Sequence, residues 1–339
     1  TPNPEITWEK ALTYNAGIDA NFLDNKLSFS VEGFKKHTYD ILGSRIASMP
    51  TTFGASMPQE NYAIIDAKGF EVEIGYTNKA GDFNYIVKGN LGYATNKLIM
   101  KDQAENIRAY QSEIGFNIDR SLGLIYTDII RTQEQLDAIL AKNPDYTVFG
   151  RKPGLGMMNY QDLRGPNSDE PDGKIDANDQ DWIMNHTTPP VNYGFLLGGS
   201  WKGISLDLFF SGVHGKKLMI STKWVQTGIV ASNYAFWNDH WTPENPNALF
   251  PRVADNELDR ASTFWMKNAS FLRLKNVNLA YTLPKSLLSK LKVKQAKVFF
   301  TGTNLFLLED HVKYHDPENT AINNYPLMKS YSLGLNFSF

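Results

Sequence analysis

The stretch Tyr331-Ser332-Leu333-Gly334-Leu335-Asn336-Phe337-Ser338-Phe339 alternates without a break. Tyr331, Leu333, Leu335, Phe337 and Phe339 fall on one face; Ser332, Gly334, Asn336 and Ser338 fall on the other. A period of two is the geometry of a β-strand, here with one greasy face and one small, polar face. A water-soluble domain could bury such a strand against a core. A sequence that stops in mid-strand on Phe is unusual for a soluble domain, whose ends tend to fray. It suits a strand whose apolar row meets hydrocarbon.

The same pattern recurs upstream. Over 7–23, Trp8, Leu12, Tyr14, Ala16, Ile18, Ala20 and Phe22 share a face, and Thr13, Asn15, Gly17, Asp19 and Asn21 the other. A membrane-crossing strand needs roughly 9–11 residues, and this run exceeds that. Asp24-Asn25 is a hairpin-turn pair, after which Leu27, Phe29 and Val31 begin a return strand. Further alternating runs lie at 69–78, 83–95, 192–201, 204–212, 269–282, 296–306 and 330–339. The connections at 24–25, 79–82 and 202–203 are short, whereas those near 39–67, 96–190, 215–268 and 307–329 are long. Short turns at one end and long loops at the other are the mark of an outer-membrane β-barrel. Within 96–190, a strand near 123–130 and an amphipathic helix at 133–140 are expected outside the membrane. With 339 ending on the periplasmic side, this odd number of crossings places the first residue on the other side. A complete single-chain barrel has an even strand number, so the sequence reads as the C-terminal part of a larger barrel. Asn15, Asp19, Asn90, Asp207 and Asn336 are expected to face its lumen. In 269–282, Arg273 and Lys275 share parity with Val277, Leu279 and Tyr281. Either those charges sit above the membrane or a bulge near Asn276 swaps the faces; entry of the strand from the loop side favours the first.

Bulk composition agrees. The 339 residues carry a net charge of −2, with no basic block or acidic tail to suggest nucleic acid. There is no cysteine, which excludes a disulfide framework and thiolate zinc sites. No run of about 18 apolar residues occurs, so no transmembrane helix is expected. Mean hydropathy is −0.36, compatible with a barrel because only alternate residues touch lipid.

Short motifs run in one order along the chain. They are Asn3-Pro4-Glu5-Ile6-Thr7-Trp8-Glu9-Lys10, Lys68-Gly69-Phe70-Glu71 and Asp172-Gly173-Lys174-Ile175-Asp176 with Asp179. Then come Trp241-Thr242-Pro243-Glu244-Asn245-Pro246 with Pro251-Arg252, Ser270-Phe271-Leu272-Arg273-Leu274-Lys275-Asn276, and Tyr281-Thr282-Leu283-Pro284. Gly302-Thr303-Asn304-Leu305-Phe306 and Asp316-Pro317-Glu318 complete them. In this the chain resembles SusC/RagA-like TonB-dependent transporters. The resemblance implies a 22-stranded barrel with an N-terminal plug. Residues 1–339 would supply about its last nine strands and outer loops, without the plug and early strands. It also implies the outer membrane of a Gram-negative bacterium, a SusD-like lipoprotein lid, and the TonB complex acting through the missing N-terminal part. Oligosaccharides or peptides would be the solute.

Two segments could carry chemistry. In 168–179 the glycine of Asp172-Gly173 falls where an EF-hand-like loop turns sharply, and Asp162, Glu170, Asp172, the Lys174 carbonyl, Asp176 and Asp179 offer oxygen ligands for Ca²⁺. The same residues also make an acidic turn capped by Asx hydrogen bonds. The loop 215–268 is aromatic, and Trp224, Tyr234, Trp237 and Trp241 could contact substrate or lid; a long loop also needs a small core of its own. His311 and His315 are four apart, but Asp316-Pro317 opposes a regular helix there. No G-x-S-x-G, H-E-x-x-H or Walker loop occurs, so no enzyme is expected.

The sequence thus reads as all-β, part of an antiparallel transmembrane β-barrel importer. A soluble glycan-binding lectin is the alternative, separated by solubility without detergent. A smaller complete pore would need an even strand number.

Overall fold

The computed structural model describes residues 3–45, 57–220, 235–253, 260–284, 286–288, 293–320 and 324–338. Among these, nine strands form one sheet: β1 Lys10–Phe22, β2 Leu27–Ser44, β3 Gln59–Ala80, β4 Phe83–Met100, β5 Val191–Trp201, β6 Ile204–His214, β7 Phe271–Thr282, β8 Gln295–Asp310 and β9 Ser330–Ser338. Each pairs antiparallel with its neighbour in sequence, and β1 and β9 are the edges. All nine expected strands are present. Phe339 lies outside the described residues.

The register explains the alternation. Ile18, Val31, Val72 and Leu91 stand opposite one another across β1–β4. One step along, Asp19, Ser30, Glu73 and Asn90 form the matching row on the other face. The apolar rows stand in the open on the interior strands as well as at the edges: Ile74 is 52 % exposed, Val87 47 %, Leu279 44 % and Leu197 41 %. A sheet that offers its greasy face outward has not been built to bury it in a water-borne core. From Phe83 to Tyr93, β4 covers about 33 Å along its axis, or about 25 Å of membrane thickness at the usual barrel tilt. Aromatic rings mark both limits of that band. Phe70 and Tyr93 lie 5.7 Å apart at one limit, and Phe83 and Tyr85 stack at 6.0 Å at the other.

Turn chemistry fixes the short end. Leu23 (φ 54°), Asp24 (φ 54°) and Asn25 (φ 65°) are all left-handed in the four-residue connection between Phe22 and Leu27, with Lys26 N donating to the Leu23 carbonyl at 3.2 Å. Lys202 and Gly203, at φ 45° and 87°, make the tighter two-residue turn between Trp201 and Ile204, where left-handed residues are favoured.

Two expectations are corrected. Much of 39–67 is strand, because β2 and β3 stay paired through Ser44 and Gln59; its described residues are half-buried on both faces, so its alternation is blurred. The face of Arg273 is set by a bulge and not by height above the membrane. Phe209 opposes Asn276 and Phe210 opposes Leu274, so Lys275 is the extra residue. The slip reverses parity and turns Arg273 inward while Leu274 joins the outward row.

At the other end the long connections build a cap. It holds the helix α1 (Gln133–Lys142), begun by a Thr132–Gln135 capping box, and four small two-stranded sheets. The helix was expected at 133–140. The strand expected at 123–130 is broken in two, Ser121–Leu124 and Tyr126–Ile129.

Candidate functional site: the cap and the inner wall

The cap has its own core. Leu124, Ile129, Val148, Met158 and Ile175 are almost fully buried, with Trp237, Trp241, Phe250 and Trp265 packed against them. Trp237 lies 5.5 Å from Trp265, and Phe250 stacks on Trp265 at 22°. Trp241 donates its indole N–H to the Arg131 carbonyl at 3.2 Å. Its ring crosses Gly156, where a Cβ would come within 2.5 Å of it. The Arg131 guanidinium in turn donates to the carbonyls of Pro246 and Ala248 at 2.9 and 2.7 Å. The Trp241–Pro246 motif is therefore structural cement. At 5 % and 8 % exposure, Trp237 and Trp241 offer no free ring face to a solute; packing of two long loops against each other uses them. Trp224 and Tyr234 lie outside the described residues.

The acidic turn spends its carboxylates on backbone amides. Asp162 accepts from the amides of Asp172 (3.2 Å) and Gly173 (2.7 Å), and Asp172 from Lys174 N (2.9 Å). Asp176 accepts from Asn178 N at 2.7 Å. Asp179, fully buried, accepts from Leu163, Arg164 and Asp176 at 2.7, 3.1 and 2.7 Å. Burial pushes the Asp179 carboxyl above its ordinary value, partly offset by these amides. Glu170 contributes its carbonyl to Gly165 N at 3.0 Å. Among the described residues, no group of three or more His, Asp or Glu side chains is placed to hold a metal ion.

A charge cluster ties cap to wall. Arg273, 2 % exposed, meets Asp316 at 2.5 Å and Glu318 at 2.6 Å; Lys275 meets Glu318 at 2.7 Å. Lys216 donates to the Pro317 carbonyl at 2.6 Å. Burial lowers the Lys216 ammonium pKa, against the pull of Glu318 and Asp316. Sequence reasoning named both motifs of this cluster but not their union; their order in the chain gives no hint that they touch. His315 is beside the cluster, and His311 instead contacts Glu309 at 2.7 Å.

The inner wall is mainly polar, with Phe34, Phe209 and Phe299 set among its Asn, Asp and Glu side chains. Asn15 donates to Glu32, and a recess of about 220 Å³ is lined by Phe34, Glu71, Glu73, Asn90 and Asn192.

An antiparallel wall, greasy outside, polar inside and capped at its long-loop end, is a transmembrane β-barrel wall. No protein-family model matches the chain. Over 99 % of its length the chain is 25 % identical to TonB-dependent receptor P26 of Formosa agariphila, covering 35 % of that protein. It is likewise 25 % identical to TonB-dependent receptor SusC of Bacteroides thetaiotaomicron, covering 32 %. Solved structures of the RagAB peptide transporter, and of the RagAB peptide importer in its closed-closed state, match with TM-scores of 0.74 and 0.75. Both are 25 % identical and cover 99 % of this chain and 36 % of theirs. The chain is similar along its whole length to SusC/RagA-like TonB-dependent receptors, which are receptors and transporters and not enzymes. It spans about a third of the length of the curated relatives it matches.

Proposed function

We propose that the chain is the C-terminal wall and outer cap of a TonB-dependent importer in the outer membrane of a Gram-negative bacterium. It would admit an oligosaccharide or a peptide, with a SusD-like lipoprotein closing the cap side and TonB acting through a plug encoded elsewhere in the protein. The outward apolar band, backed by a polar inner face, carries this reading. The free edges of β1 and β9 suit pairing with further barrel strands. Similarity to TonB-dependent receptors over the whole chain supports the energy source. Trp237 and Trp241 are buried and lend no support to sugar over peptide, and the RagAB structures, named for peptide transport, keep peptide equal with glycan. The lectin alternative would need those apolar rows covered by protein, and the described residues leave them bare.

The test is uptake by cells with and without the gene for the full-length protein. Deletion should abolish accumulation of one labelled oligosaccharide or peptide class. Complementation should restore it, and collapse of the proton-motive force should stop it. Undiminished uptake of every class in the deletion strain would overturn the proposal. Co-purification of a surface lipoprotein with the intact protein tests the partner.

A further inference from the structure

Just beyond the Phe70–Tyr93 girdle, on the cap side, two lysines face each other on the outer surface. Tyr14, Lys35, Lys68 and Thr95 form one cross-strand row over β1–β4. Like charges directly opposite on antiparallel strands weaken the pairing, and among the described residues neither lysine has a carboxylate partner. The next row outward shows how the wall balances charge when it does so internally. There Asp66 stands between His37 and Lys97, with His37 at 2.6 Å. The row with Lys35 and Lys68 lacks any such anion.

The row toward the membrane centre is Ala16, Gly33, Phe70 and Tyr93. A Cβ at Gly33 would meet nothing nearer than 4.0 Å. Small residues thus make a floor, with Tyr14 standing on one side and Phe70 and Tyr93 on the other. The result is an outward-open groove of about 760 Å³ with Lys35 and Lys68 at its head. Lysines that simply reach water from a membrane edge need neither a trough beneath them nor a like-charged neighbour in register. A trough of acyl-chain character ending in two uncompensated ammonium groups is complementary to one kind of molecule, an amphiphile with a phosphate headgroup.

We propose that this groove seats a phosphate-bearing lipid of the cap-side leaflet, its phosphate between Lys35 and Lys68 and an acyl chain over Ala16 and Gly33. The site rests on the reading that this face meets lipid. Its charged head and its aromatic sides, Lys35, Lys68, Tyr14, Phe70 and Tyr93, belong to the outward rows, whereas Asn15 and Phe34, which also line it, belong to the inward rows beneath its floor.

The experiment uses the full-length protein in nanodiscs of phosphatidylcholine, alone or doped with diphosphorylated lipid A, with retained lipid measured by native mass spectrometry. The wild type should retain lipid A but not its dephosphorylated form, and inorganic phosphate should not displace it. Lys35→Gln combined with Lys68→Gln should weaken retention about tenfold or more. Gly33→Leu, which fills the trough and keeps both charges, should also weaken it. Heat-modifiable gel migration confirms that each variant still forms a barrel. Equal retention by the double variant, or equal retention of the dephosphorylated lipid, would overturn the site. A spin label at Leu206→Cys separates the two failures. If it is accessible to oxygen while lipid retention is unchanged, the site is wrong and the lipid-facing reading stands. If it is inaccessible, that underlying reading has failed.

Discussion

Arg273 on β7 and Asp316, in the connection that leaves β8, meet at 2.5 Å with the guanidinium almost wholly buried. The Lys275 bulge makes this possible by turning Arg273 off the lipid face. Arg273→Ala would leave Asp316 and Glu318 partly buried without their main cation. Loss of one partner from a buried pair costs about 3–5 kcal/mol, which should appear as faster amide exchange across 311–320. Arg273→Lys retains the charge but not the fork that reaches both carboxylates, so an intermediate effect is expected.

Gly156 holds a left-handed φ of 78° directly under Trp241. Gly156→Ala combines backbone strain with a clash on the ring, and should destabilise the cap by more than about 1 kcal/mol. Trp241→Ala should cost about 3–5 kcal/mol. Limited proteolysis within 235–253 measures both. Because the ring is structural, loss of solute uptake in Trp241→Ala should track loss of the folded cap and not precede it.

His315 titrates the loop anchor. Burial lowers its pKa from 6.5, outweighing the nearby Asp316 and Asp310. A base with a depressed folded pKa contributes stability above its unfolded value, and that stability is lost as pH falls through the folded pKa. Acidification below 6.5 should therefore loosen 311–320. His315→Phe should flatten the response in pH-dependent hydrogen exchange.

Asp179 carries the opposite sign. Its carboxyl pKa is raised by burial, so its contribution is fullest below the unfolded value and declines as pH rises through the folded one. Mild acid that frees 311–320 should leave the 162–179 turn protected. Asp179→Asn sets an amide N–H₂ against backbone donors and should cost about 1–3 kcal/mol, read as increased exchange at Leu163 and Arg164.

The wall was legible because lipid on one side and water on the other write a period of two into nine separate segments. The upper parts of β2 and β3 were not, since both faces are half-buried alike and alternation has no cause there. The face of Arg273 was misjudged because a single extra residue, Lys275, reverses parity and leaves no sign in composition. For the tryptophans, sequence names the residue and not the side of the loop it packs against. The lysine pair was invisible for the same reason: Lys35 and Lys68 become neighbours only once the register between β2 and β3 is known.

The most direct measurement is a spin-label scan of 204–208 and 331–337 in the full-length protein in liposomes, by accessibility to oxygen and to a polar nickel reagent. Labels at Leu206, Leu208, Leu333 and Leu335 should favour oxygen, with Asp207, Ser332 and Asn336 out of phase. Labels at the leucine positions shielded from both reagents would show the apolar rows packed on protein and would contradict the account.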